Sequence, residues 1–179
     1  MILRLILKFV RILGDRLILA TYTRPSKSDW LYAVLLLGLY GVIYLPIGFM
    51  SGFLTVEPRL QWATIWRVTI GAFLSPGLSE ECVFRVLLIP HRVEPVKPIV
   101  RWFWTISSWV GFVAYHPLNP YGQPFFANPI FLIGAGILGM ICTSAYLRTG
   151  SLWIPVLMHW FIVVIWLLLC GGLKRFITE

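Results

Sequence analysis

Charge is what this chain has least of. Only 12% of its 179 residues are charged, and only seven are acidic. A soluble domain carries about a quarter charged residues, so a soluble globular fold is excluded. The hydrophobic content of 59% excludes a disordered chain. Cysteine is scarce too. Cys82, Cys142 and Cys170 lie scattered in apolar stretches, and an odd count without metal-type spacing argues against a disulfide framework. Two chemical signatures are also missing. There is no H-E-x-x-H zinc-protease helix. Ser79 follows Gly77-Leu78, but Glu80 stands where the G-x-S-G of a serine intramembrane protease requires glycine.

What is abundant is apolar length, with a mean hydropathy of +0.83. Residues 30–56 carry no charge, and Trp30 to Met50 alone is long enough to cross a core of ~30 Å. A second apolar stretch runs from Gln61 to Ile89, interrupted at Ser75-Pro76-Gly77. Trp102 to Leu147 is uncharged and is split by His116 to Pro124 into spans near 101–116 and 128–147. A last span begins near Ser151 and ends at Gly171-Gly172. The expected fold is therefore an all-α, polytopic membrane bundle of about five spans. Residues 30–172 form its single domain and 173–179 a short tail.

Residues 1–29 read as an interfacial segment. Arg4, Lys8, Arg11 and Asp15 share one helical face over the first 13 residues or so, with Leu3, Ile6, Leu7 and Val10 largely opposite. A frayed sixth span is the alternative. The net charge of +8 and pI near 9.8 arise from basic segments between apolar runs, which fits positive-inside topology better than a nucleic-acid surface. Nucleic acid is not an expected partner. Arg4 to Lys27, the 91–101 loop and Arg148 then fall on the cytoplasmic side with the N-terminus. Lys174 and Arg175 count against this orientation, and the uncharged 116–127 loop falls outside.

Two of the few acids, Glu80 and Glu81, are adjacent inside an apolar stretch, where a charge costs ~2.5–3.5 kcal/mol on insertion scales and marks a functional site by default. On a helix Glu81 and Arg85 face each other four residues apart, while Glu80 is turned about 100° away. Glu81 is thus expected to be held by Arg85, with Glu80 left free to take a proton. Ser75-Pro76 reads as an N-cap and first helical position, a helix restarted within the membrane. The plainer alternative is a structural ion-pair cluster with Arg67 and Arg85. His116, closing Phe112-Val113-Ala114-Tyr115-His116, and His159, eight residues after a Ser151 cap, also lie in apolar surroundings. Each alone reads as a packing histidine. Beside a free intramembrane glutamate they read as catalytic. His91, next to Arg92 in a basic loop, reads as a surface residue.

A carboxylate that takes a proton from water, a histidine that orients that water and a second donor for an oxyanion together suit amide hydrolysis. Two histidines and a glutamate could instead hold zinc; otherwise no cofactor or metal is expected. An ion or proton carrier would need polar residues on other spans, which are almost absent.

The order E-E-x-x-x-R, F-x-x-x-H and then G-S-L-W-x-P before a late histidine resembles the CAAX-protease and bacteriocin-processing family of intramembrane proteases. The matching residues are Glu80, Glu81 and Arg85; Phe112 and His116; and Gly150 to Pro155 leading to His159. The resemblance implies a glutamate-dependent endopeptidase acting on a membrane-associated protein or peptide. Glu80 would activate water, His116 would help to hold it, and His159 would sit on the oxyanion side. Glu81, Arg85 and Phe112 would support the site. The family's third motif usually carries Asn or Asp four residues after the late histidine. Here that residue is Val163, which donates nothing, and neither asparagine, Asn119 or Asn128, stands there. The alternative reading is a non-catalytic scaffold or immunity protein of the same fold, a pseudoprotease.

Overall fold

The computed structural model describes residues 2–118 and 123–178; Asn119 and the centre of the 116–127 loop lie outside the described residues. Among the described residues every regular element is helical. The helices are α1 (Ile2–Tyr22), α2 (Lys27–Met50), α3 (Trp62–Ala72), α4 (Ser79–Glu81), α5 (Pro98–Leu118), α6 (Pro129–Thr149), α7 (Trp153–Leu169) and α8 (Gly172–Thr178). Two π-type segments, Phe73–Leu78 and Cys82–Leu87, flank the single turn of α4. All five expected apolar stretches are therefore helical. Of these, α2 and α6 are long and apolar enough to cross a membrane, while α7 is apolar but shorter.

Local chemistry sets the ends. Ser26 and Asp29 form a reciprocal capping box at the start of α2, so two backbone N–H groups that the helix cannot satisfy find side-chain acceptors. Asn128 caps α6 ahead of Pro129, and Gly150 ends that helix in the left-handed region at φ 69°, where only glycine avoids a Cβ penalty. The second stretch breaks at Ser75, whose backbone is extended (φ −145°, ψ 120°).

The N-terminal helix runs to Tyr22, because nothing before Arg24-Pro25 forbids another turn. Residues Gly172–Thr178 form the short helix α8. One expectation is corrected: His91 is not a surface residue but only 2% exposed. Its Nε2 lies 3.0 Å from the Gly150 carbonyl, and its backbone N–H donates to Glu94 Oε1 at 2.6 Å. Glu94 also takes a two-pronged ion pair from Arg16, at 2.8 and 2.9 Å. The loop therefore folds inward over the ends of α1 and α6 instead of facing solvent.

α6 is the central helix, packed on α2, α5 and α7. Its small residues permit this approach. A Cβ at Gly134 would overlap the Tyr44 ring, and one at Gly139 would lie 3.0 Å from Phe112 and Trp109. Side-chain bonds pin the neighbours: Tyr32 to Ser144 at 2.8 Å, Trp109 Nε1 to the Gly136 carbonyl at 2.9 Å and Trp160 Nε1 to the Thr69 carbonyl at 2.8 Å.

Burial lowers the pKa of His91 below its usual 6.5. Between the lowered folded value and the unfolded one the unfolded chain binds more protons, so stability rises as pH rises there and is lost as pH falls. The melting temperature in detergent is expected to drop as pH is lowered through about 6.5, and His91→Gln should flatten that slope. An unchanged slope in the variant would show that His91 does not carry it.

Candidate active site

The break at Ser75 delivers Glu80 and Glu81 to the middle of the bundle on consecutive helical positions that face different ways. Glu81 is completely buried. Its Oε2 lies 3.0 Å from Arg85 Nε, an ion pair one turn apart. Its Oε1 accepts from His159 Nδ1 at 2.7 Å. Arg85, also fully buried, donates from Nη2 to the Gly139 carbonyl at 3.2 Å. Its guanidinium stacks 4.3 Å above the Phe112 ring. A buried guanidinium placed against one carboxylate, one carbonyl and one aromatic face is compensated on several sides, as burial of a charge requires.

Phe112 joins the parts. Its ring meets those of His116 and His159 edge-on, with centroids 5.2 and 5.9 Å apart. Its carbonyl accepts from His116 Nδ1 at 2.9 Å. Each of the two histidines thus donates through Nδ1 to a fixed acceptor, which leaves Nε2 as the free ring nitrogen. Both histidines are buried.

Glu80 is half-buried and differs from its neighbour. No hydrogen bond or ion pair ties it to any described residue, and its buried Oε2 has no protein partner. Glu80, His116, His159 and Val163 all line one cavity of about 740 Å³ with otherwise mostly apolar walls, among them Tyr40, Tyr44 and Phe131. Glu81 is paired with Arg85, and Glu80 lines the cavity. Arg67 stands in the cavity wall with no acidic partner among the described residues, so it does not join Glu80, Glu81 and Arg85 in one ion cluster. Ser151 accepts from the Trp153 N–H at 3.3 Å, but α7 begins only at Trp153, so His159 lies six residues in, ~9 Å along the axis. What the sequence did not reveal is the bond between Glu81 and His159. The two are 78 positions apart, and no local pattern signals which glutamate the histidine meets. Among the described residues no three His, Cys, Asp or Glu side chains are grouped to hold a metal ion.

The family model of type II CAAX prenyl endopeptidases, Rce1-like, matches residues 60–165. The chain belongs to that family. The match covers Glu80, Glu81, Arg85, Phe112, His116 and His159, and it makes this Rce1-like chain a membrane-embedded protein of an endopeptidase family. No curated protein and no solved structure matches the chain.

Within this Rce1-like site the two glutamates should respond differently to substitution. Arg85→Ala leaves Glu81 buried with one partner lost, a defect that costs ~3–5 kcal/mol when a buried pair is broken. The yield of monodisperse protein by size-exclusion chromatography should fall sharply. Glu80→Gln, which severs no contact, should keep the wild-type yield. Equal yields would remove the division between the two carboxylates.

Proposed function

We propose that the chain is an intramembrane endopeptidase that hydrolyses a peptide bond of a membrane-associated protein with a glutamate-activated water. The observation that carries this reading is the free Glu80 carboxylate on the same cavity as two histidines whose Nδ1 atoms are already committed. A water between Glu80 and His116 Nε2 donates one hydrogen to each. Glu80 takes a proton as the oxygen attacks the scissile carbonyl carbon. His159, held at Nδ1 by the Glu81 carboxylate, presents its Nε2 edge on the side where the oxyanion develops. Glu80 then passes its proton to the amine nitrogen as the C–N bond breaks, leaving a carboxylic acid and an amine. The reaction uses side chains alone and calls on no cofactor.

The same reading makes the chain a multi-pass integral membrane protein of about five spans, with α1 lying in the interface and the N-terminus cytoplasmic. α1 supports this: it carries Arg4, Lys8, Arg11, Asp15 and Arg16 along its length while Leu3, Ile6, Leu7 and Val10 remain exposed. The second reading, a pseudoprotease scaffold, is favoured by Val163, which lines the cavity one turn beyond His159 and offers no donor.

Cleavage of a prenylated CaaX peptide by protein reconstituted in liposomes separates the two. Wild type should turn over slowly, and Glu80→Gln should not turn over at all. Val163→Asn should be faster, by up to the ~10²–10³ that one oxyanion donor is worth. If a cellular phenotype of the chain survives Glu80→Gln unchanged, the scaffold reading stands and the enzyme does not.

A further inference from the structure

The cavity occupies only one half of the bundle. α2 contributes to it from Leu37 to Leu45 and nothing before. α6 contributes from Phe131 to Leu138, and α7 from His159 to Leu167. α3 and the break after it contribute from Arg67 to Pro76, and α5 only its end, Tyr115 and His116. These are the halves nearest the 51–61 connection, the turn Pro124–Ala127 and α8, which add Phe53, Phe126 and Phe176. Exposed side chains stand in that wall: Leu45 at 39% and Phe161 at 47%. Glu80, His116 and His159 form its inner end.

The other half contributes no residue to this cavity; the smaller hollow there is lined by Arg92, Arg101, Trp102, Thr105 and Leu147 and shares none of its residues. Val86, Ile89, Tyr146, Leu152 and Val156 pack there with at most 2% exposure. A polar seal lies beyond them. Arg16 donates to the Leu87 carbonyl at 2.7 Å, Arg101 to the carbonyls of Pro90, His91 and Glu94, and Leu152 N–H to Ala20 at 2.9 Å. This sealed end carries Arg16, Arg24, Lys27, Arg92, Lys97 and Arg101, joined by Arg148, which pairs with Asp29. The open end carries Arg59, Lys174 and Arg175. Lys174 and Arg59 share Glu57, and Arg175 donates to the Phe53 carbonyl at 2.9 Å over that residue's ring. The basic bias of short loops sets which end stays in the cytoplasm.

We infer that the site opens away from the cytoplasm, so its substrate is a polypeptide segment that reaches it from the far side of the membrane: an exported chain or the outer end of a membrane-anchored protein. This rests on the protease reading for what happens to the segment, but the direction of access does not. Water and peptide enter from the end of Phe53 and Phe176, move along the wall between α2 and α3, and stop at Glu80. The sealed end gives no path from the cytoplasm.

Cysteine accessibility in intact cells tests this, with a small, charged, membrane-impermeant methanethiosulfonate as the probe and the unsubstituted chain as background. Val56→Cys reports the open end and Val93→Cys the sealed end; both positions are exposed loop sites without side-chain bonds. Gly41→Cys reports the cavity, where a Cβ meets only Leu45 Cδ1, at 3.8 Å, and fits. Val56→Cys and Gly41→Cys should be labelled in intact cells, and Val93→Cys only after permeabilisation. Labelling needs no turnover, so the pattern should be the same with Glu80→Gln added; an inactive enzyme therefore leaves the test intact. Labelling of Val93→Cys in intact cells would overturn the inference, as would a Gly41→Cys that reacts only after permeabilisation or on neither side.

Discussion

The Glu81 carboxylate, wholly withdrawn from solvent, is shared between Arg85 at 3.0 Å and His159 at 2.7 Å. A carboxylate at that depth is costly unless its oxygens are matched by charge and by donors, and this one has both from two different segments. Much of the bundle's arrangement follows. α7 must present His159 to the segment after the Ser75 break. α6 must bring the Gly139 carbonyl to Arg85, which requires a residue with no side chain, since a Cβ there would lie 3.0 Å from Phe112. Phe112 must lie beneath the guanidinium, and from that position its own carbonyl fixes His116. One buried anion thereby orients a histidine directly and, through Arg85 and Phe112, a second one.

The consequence for Glu80 is freedom. A residue one position along the same turn points about 100° elsewhere and meets the cavity instead of Arg85. Two adjacent acids thus come to differ in environment without differing in chemistry, the condition under which one carboxylate can serve structure and its neighbour can serve proton transfer. The bundle divides likewise. Its basic end is packed and bonded shut, while its opposite half keeps the space that a peptide requires.

Much of this was legible in the sequence because the signals are local. Apolar length located five helical stretches, Ser75-Pro76 located the break, and the four-residue spacing of Glu81 and Arg85 located the pair. His116 and His159 stood out because a histidine is rare in such surroundings. What was misread or not visible depends on contacts distant in sequence. His91 beside Arg92 has the local character of an exposed loop, and its burial comes from Gly150, 59 positions away, and from Glu94 held by Arg16 of α1. The bond from His159 to Glu81 rather than to Glu80 is decided by the docking of α7, which no window of sequence contains.

The division between the two glutamates is tested most directly by nitrogen-15 NMR of the three histidines in lipid-reconstituted protein. The geometry requires hydrogen-bonded Nδ1–H on His116 and His159, and Nε2–H on His91 facing Gly150. The His159 Nδ1–H signal should shift on Glu81→Gln and hold its place on Glu80→Gln. A His159 signal that follows Glu80→Gln and ignores Glu81→Gln would contradict the account.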